Sequence, residues 1–212
     1  MNSILAVLAF CLLIALVCLF FFKGRSKAEK KGKQGEALVK KAIKAMHLEA
    51  LHDVILPAQD GMTQVDHIVK VGNAIVVVET KNYSGSIYGK QWDKEWRQVF
   101  RKGKSIPFRN PILQNYGHVK AVQAAVGDDV DVRGVVLFVG SARFPKGRLD
   151  DVLVPAEFPD WLRRTFVDAG AMTTVDRAWA TLGDRAGTLG GRSDRKLHRE
   201  TVAKAKASRT GA

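Results

Sequence analysis

Three kinds of apolar pattern follow one another along the chain. The first is unbroken: residues 4–22 carry no charge and consist of Leu, Ile, Val, Ala and Phe with Cys11 and Cys18. At ~1.5 Å per residue such a helix nearly matches a ~30 Å hydrocarbon layer, which predicts a single transmembrane helix. A cleaved signal peptide fits less well, because no Lys or Arg precedes the run and no small-x-small site follows it. The second pattern has helical period. Ala28, Leu38, Val39, Ala42, Ile43 and Met46 predict a helix from Lys27 to about His47, with Gly32 and Gly35 leaving its start open. The third has period two. Asp53–Leu56 reads as a strand closed by Pro57 and the turn Gln59-Asp60-Gly61. From Val65 to Val71, Val65, His67, Val69 and Val71 alternate with Asp66, Ile68 and Lys70. Gly72-Asn73 is a hairpin signal, and Ala74–Lys81 follows as a buried strand built on a β-branched run.

Beyond Lys81 the elements shorten. Ser86–Tyr88 reads as an edge piece, and Trp96–Ile106 as a hairpin turning at Lys102-Gly103-Lys104. Asn110-Pro111 is a cap and first turn for a helix to about Val126 with Ile112, Val119, Val122 and Val126 as its apolar stripe. Val135–Val139 and Val152–Val154 read as strands, Pro159–Ala169 and Thr174–Leu182 as helices. The order helix, three strands, helix, strand implies an α/β core with a mixed sheet. Residues 183–212, rich in Gly, Arg, Lys, Ser and Thr, read as a basic disordered tail.

Charge changes the picture. The net charge is +13. Residues 23–50 hold nine Lys/Arg against three Asp/Glu, and residues 183–212 hold eight against three, so the middle is near balance at +2. The basic juxtamembrane segment 23–31 places the C-terminal body in the cytoplasm by the positive-inside rule and suits anionic lipid. Within the middle, residues 81–109 carry eight basic residues against Asp93 and Glu95. Lys90, Lys94, Arg97, Arg101, Lys102 and Lys104 are thereby candidates for binding nucleic acid, with Trp92, Trp96 and Phe100 interleaved for stacking. A solvated hairpin whose aromatics enter the core fits the same spacing. Both cysteines lie in the apolar run, so the body has no thiol for a disulfide, a nucleophile or a zinc site.

The candidate chemistry lies on two strands. Glu79 and Lys81 share one side of the strand that ends in Glu79-Thr80-Lys81, and Asp66 sits one strand earlier. Buried strands seldom carry such charge, because its desolvation is expensive. A hard divalent cation, Mg²⁺ or Mn²⁺, would offset it, with Asp66, Glu79 and the Thr80 carbonyl as ligands. Lys81 is then placed to hold or help deprotonate a water and to neutralise a phosphate. Glu36, taken alone, reads as a surface acid near a helix start. His67 reads as a packed core histidine.

Gly32-x-x-Gly35-Glu36, Gln64-Val65-Asp66-His67, Glu79-Thr80-Lys81-Asn82-Tyr83, Gly85-x-Ile87-x-Gly89 and Asn110-Pro111-x-x-Gln114 resemble, in order, the NERD (nuclease-related) domain of the PD-(D/E)xK nuclease-like superfamily. The resemblance covers roughly residues 32–140. It implies a restriction-endonuclease-like fold over 32–182, with a C-terminal helical extension. It implies Asp66, Glu79 and Lys81 as catalytic residues, with Glu36 orienting or binding metal and Gln114 near the site. The function expected is Mg²⁺-dependent hydrolysis of DNA by a single-pass membrane protein at the cytoplasmic face. The alternative is a catalytically inactive nucleic-acid-binding or membrane-tethering module on the same fold.

Overall fold

A computed structural model describes residues 27–59, 61–166, 173–188, 196–198 and 200–203. Among these no helix is long and apolar enough to cross a membrane. The membrane helix expected at 4–22 and the first residues of the basic segment lie outside the described residues.

The first helix, α1, spans 27–45 and runs through Gly32 and Gly35 without a break. Gly35 is required there by packing: a Cβ would stand 2.8 Å from Asn82 Cβ and 3.0 Å from Val139 Cγ2. Three antiparallel strands follow, β1 (Ala50–Ala58), β2 (Gly61–Val71) and β3 (Ala74–Lys81). Gly72, at φ +56°, makes the tight β2–β3 turn. After a further excursion, helix α2 (Pro111–Val126) crosses back, and β7 (Asp131–Phe138) pairs parallel to β3, with Lys81 opposite Phe138. The short β9 (Val152–Leu153) completes a five-stranded mixed sheet in the order β1-β2-β3-β7-β9. Every residue of β3 before Lys81 is buried, which is what a near-continuous Val/Ile run between two helical layers requires.

Each face of this sheet has its own core. Val39 and Ile43 of α1 pack with Val76, Val78, Val135 and Leu137, together with Phe158, Trp161 and Leu162 of α3 (Phe158–Thr165). Ile75 and Val77 pack on the other face with Ala121, Val122 and Ala125 of α2 and with Val175, Ala178 and Leu182 of α4 (Thr173–Thr188). The fold is mixed α/β with two mixed sheets flanked by helices, an arrangement that fits a nuclease-like fold.

Four sequence expectations are corrected. The segment 86–88 is no edge of the main sheet. As β4 (Gly85–Tyr88) it lies inside a second sheet, β6-β5-β4-β8, with β5 (Glu95–Val99), β6 (Ser105–Arg109) and β8 (Ala142–Arg143). The strict alternation of β2 fails. Val65 and Ile68, three apart, share one core, and so do Leu51 and Val54 on β1. The ladder pairs His52 with His67 and Val54 with Val65, but Asp53 and Asp66 form no rung. Asp53 adopts φ +56°, and this left-handed residue breaks the parity of the pleat. On α2 the buried face is turned from the predicted stripe, taking in Asn115 and His118. The last helix runs to Thr188 rather than 182, and residues 196–198 and 200–203 are helical, where a disordered tail was expected.

Candidate active site

The site forms where β2 and β3 separate. Their ladder ends at the rung His67–Val78, and beyond it β2 stays paired with β1. Thr80 N–H, left without a strand partner, donates to Asp66 Oδ2 at 2.8 Å. The carboxylate is thereby fixed against the strand that carries Glu79 and Lys81. Glu79, 1% exposed, accepts from Lys81 Nζ at 2.5 Å through Oε1. Lys81 Nζ also donates to Gln114 Oε1 of α2 at 3.1 Å.

Gln114 reaches the site because α2 is anchored at both its cap and its middle. Asn110 caps it, accepting from Ile112 N–H at 2.9 Å. One turn later Asn115 Nδ2 donates to the carbonyls of Val77 and Val135 at 3.1 Å each. Gly134 makes that approach feasible, since a Cβ there would meet Asn115 Nδ2 at 2.8 Å.

His118, one turn beyond Gln114 on the same face, is a participant that the sequence reading missed. Its Nε2 lies 3.2 Å from Glu79 Oε2 and 3.4 Å from Gln114 Nε2, and its Nδ1 lies 2.9 Å from Thr63 Oγ1. The ring is close enough to Glu79 for an ion pair when protonated, yet it does not aim an N–H along that line. Glu79 Oε2 is therefore buried without a hydrogen bond. The spacing Gln114-x-x-x-His118 was the signal that could have revealed this pair, because residues four apart neighbour each other on a helix.

The electrostatics follow from the crowding. Burial alone would raise Glu79, but the Lys81 ammonium and then His118 overcome it and hold the carboxyl at about 2. Burial pulls Lys81 down, but the adjacent Glu79 outweighs this and raises it, so Lys81 keeps its proton. In this arrangement Lys81 acts as a cation and hydrogen-bond donor to Glu79 and Gln114. Asp66 is pushed well above the usual carboxylate range, first by burial and then by Glu79, against the pull of Thr80 N–H and Lys81. Glu36, half-buried on α1, is raised by burial and then by Asp53 and Glu79, so it shares the field of the cluster. Lys81 is thus the ammonium that all three acidic groups have in common, with Lys33 acting on Glu36 as well.

Among the described residues no three His, Cys, Asp or Glu side chains are grouped tightly enough to form a complete metal cage. The donors nevertheless suit Mg²⁺ or Mn²⁺, which bind through one or two carboxylates and keep several waters. The Glu79 oxygen without a hydrogen bond and the buried Asp66 carboxyl are the oxygen donors that a hard divalent cation could use. Thr80 turns its side chain to the α1 face, where Oγ1 is buried without a partner.

His67 stays out of the constellation. It is buried, its Nδ1 is 2.9 Å from His52 Nδ1, and burial followed by His52 depresses its pKa to about 3. The unfolded chain takes up this proton near the ordinary 6.5 and the folded chain does not. His67 therefore contributes stability that is complete above pH 6.5 and is lost as pH falls toward 3, with a slope of about one proton. Glu79 adds a similar loss only below pH 4.5. Urea unfolding of His67→Phe across pH 7 to 4.5 is expected to show a flatter pH dependence than the unchanged chain. Parallel curves for the two proteins would assign the acid sensitivity elsewhere.

The six basic candidates Lys90, Lys94, Arg97, Arg101, Lys102 and Lys104 are all exposed. They lie on the turn before β5 and on the β5–β6 hairpin. The aromatics between them divide. Trp96 is 3% exposed and packs near Phe138 and Phe108, Phe100 is half-buried, and Trp92 is 74% exposed.

The family model of the nuclease-related domain, NERD, matches residues 31–139, just over half of the chain. An uncharacterized protein of Bacillus anthracis is 45% identical over 98 residues, covering 44% of this chain and 45% of its own length. The chain therefore spans less than half of that relative. A crystal structure of a protein of unknown function aligns with 84% of this chain and 98% of its own, at 11% identity and a TM-score of 0.34.

Proposed function

The chain belongs to the nuclease-related domain (NERD) family, and from that premise we propose that it is a divalent-metal-dependent phosphodiesterase acting on DNA. The observation that carries the reading is the convergence of Asp66, Glu79, Lys81 and Gln114 from β2, β3 and α2 on one partly buried point. A restriction-endonuclease-like core, helix–three strands–helix–strand, is the corresponding fold proposal.

Hydrolysis of a phosphodiester requires a water in line with the leaving oxygen and stabilisation of charge on the phosphorane-like transition state. Water adds to phosphorus and gives up one proton to the surrounding solvent, the P–O bond to the leaving sugar breaks, and that oxygen takes up a proton in return. Asp66 and Glu79 would hold Mg²⁺ or Mn²⁺, with the Thr80 carbonyl as a further ligand, and the bound ion would supply Lewis acidity and an acidified water. Lys81, fixed by Glu79 and Gln114, presents an ammonium where negative charge develops. Gln114 and His118 hold Lys81 and Glu79 in place. Glu36 orients the approach from α1. The exposed Lys90, Lys94, Arg97, Arg101, Lys102 and Lys104 engage the DNA backbone.

The proposal includes location. The 4–22 segment, followed by basic residues, anchors the chain as a single-pass protein with its domain in the cytoplasm. The juxtamembrane charges attract anionic lipid.

A second reading is favoured by one observation. Arg97 lies on β5 of the second sheet and the other five basic candidates on the turns beside it, so the charged surface is built on elements other than those that carry Glu79 and Lys81, as a binding or tethering module requires. A cleavage panel separates the two. The full chain in neutral detergent is incubated with linear, circular, single- and double-stranded DNA and with RNA, in Mg²⁺, Mn²⁺ or EDTA. The nuclease reading expects cleavage that needs metal and disappears in Asp66→Asn. Salt-sensitive binding without cleavage in any metal would support the module instead.

A further inference from the structure

One exposed side chain is displayed more firmly than its surroundings require. Trp92 sits at the tip of the turn formed by residues 90–94, and 74% of it is open to solvent. The backbone beneath it is braced on all sides. Asn110, fully buried, donates through Nδ2 to the carbonyls of Gln91 at 2.8 Å and Asp93 at 2.7 Å, with a longer reach of 3.3 Å to Lys90. Asn110 N–H donates to Lys94 O at 3.1 Å. Trp96 Nε1 donates to Lys90 O at 2.9 Å, and Asp93 Oδ2 accepts from Lys90 N–H at 2.8 Å. A turn held this tightly has little freedom to fold its indole away from water.

The same asparagine that braces the turn caps α2, and Gln114, which touches Lys81, begins the next turn of that helix, about 5.4 Å along its axis. The turn therefore stands at the active-site end of α2. Lys90 and Lys94, both exposed, bracket Trp92 in sequence at the two ends of the turn. A large flat apolar surface between two cations suits a nucleobase whose phosphates lie to either side, because every base offers a π-face and each phosphate a charge. In a duplex the bases are already stacked on one another and present no free face to it.

We infer that Trp92 is a base-stacking platform that selects unpaired or single-stranded nucleic acid at the entrance to the Asp66–Glu79–Lys81 site. The inference rests on the nucleic-acid reading above and assigns it a substrate class. The platform is preformed, so binding spends little on ordering it.

The test uses the full chain in neutral detergent and EDTA, so that turnover plays no part. A thymidine oligomer of about 16 nucleotides and a blunt duplex of equal length are titrated while tryptophan fluorescence is followed. The single strand is expected to quench the emission and to bind more tightly than the duplex. Trp92→Ala is expected to weaken single-strand binding by roughly 10- to 100-fold, with little change for the duplex. Trp92→Phe is expected to keep most of the affinity and lose most of the quench. Because the side chain is exposed, both variants should unfold at the temperature of the unchanged chain.

Equal oligomer affinity in Trp92→Ala and the unchanged chain would overturn the inference while leaving the nuclease reading intact. Absence of any oligomer binding by the unchanged chain would also overturn the inference, and metal-dependent cleavage of duplex DNA by the same protein would show that the nuclease reading survives it. Vesicles of anionic phospholipid serve as the competing probe. Loss of vesicle binding in Trp92→Ala with oligomer binding intact would reassign the indole to a membrane surface.

Discussion

Lys81→Ala is expected to lower metal-dependent cleavage by about 10²–10³-fold, the usual effect of removing one transition-state donor. It is also expected to reduce folding stability in EDTA by about 3–5 kcal/mol. Both effects have one cause. Glu79 is 1% exposed and its ionised form depends on the ammonium 2.5 Å away. Without Lys81 the buried carboxylate faces Asp66 and Glu36 with only His118 beside it, so it must protonate, draw a proton onto His118, or open the fold to water. Saturating Mg²⁺ is expected to restore part of the lost stability, since an added cation replaces the missing charge. The double variant Glu79→Gln/Lys81→Met is expected to regain most of the stability, because removing both partners leaves no orphaned charge, yet to stay inactive. Urea unfolding with and without Mg²⁺, read beside a cleavage assay, decides the matter. A Lys81→Ala protein that cleaves at the original rate would falsify the proposed role.

Asn110→Ala carries the second large effect, and it begins as a stability effect. The side chain is the N-cap of α2 through Oδ1 and binds the carbonyls of Gln91 and Asp93 through Nδ2. Loss of the cap costs about 1 kcal/mol, and loss of the hydrogen bonds to the Gln91 and Asp93 carbonyls about 1 kcal/mol each. A total of about 3 kcal/mol is expected, with entering water limiting the sum. Asn110→Ser separates the parts. Serine caps helices well but cannot reach the two carbonyls, so it should recover the cap's share alone. Because the lost contacts hold the turn at 90–94 and the first turn of α2, limited proteolysis should find that turn first. Cleavage of nucleic acid should also fall as Gln114 loses its fixed approach to Lys81. An unfolding midpoint equal to that of the unchanged chain would contradict this account.

The parts of the fold that read correctly from the chain are those governed by near neighbours. Gly72-Asn73 forms a tight turn because glycine accepts φ +56° without strain. Asn110-Pro111 starts a helix because the asparagine oxygen meets orphan N–H groups and the proline has none to satisfy. The apolar run 74–78 becomes a central strand because only a two-sided core buries it.

The corrections have a different origin. The parity of β1 and β2 depends on Asp53 at positive φ, a state that a lone aspartate in an alternating segment does not announce. The placement of Asn115 and His118 on the buried face of α2 depends on what waits there: two carbonyls, Glu79 and Thr63. Hydrophobic periodicity counts polar residues as outward-facing and so misreads a helix face built to meet polar partners. The β5–β6 hairpin was legible as Trp96–Ile106, but the sheet around it was not, because β4 and β8 are short and their pairing joins segments more than 50 residues apart.

By itself the sequence determined that Glu79 and Lys81 would stand together on a buried strand, since that rests only on the two-residue period of the pleat and on a run too apolar to face water. It also determined the ordered motifs from Glu36 to Gln114 and the basic excess between 81 and 109. Only the tertiary structure decided that β2 would leave β3 at Asp66, so that Thr80 N–H turns to a side chain instead of a strand. It decided as well that His118 would stand beside Glu79, and that of two tryptophans four residues apart Trp96 would be buried and Trp92 held out in water. Those outcomes depend on which surfaces meet across long stretches of chain, and local spacing carries no information about distant partners.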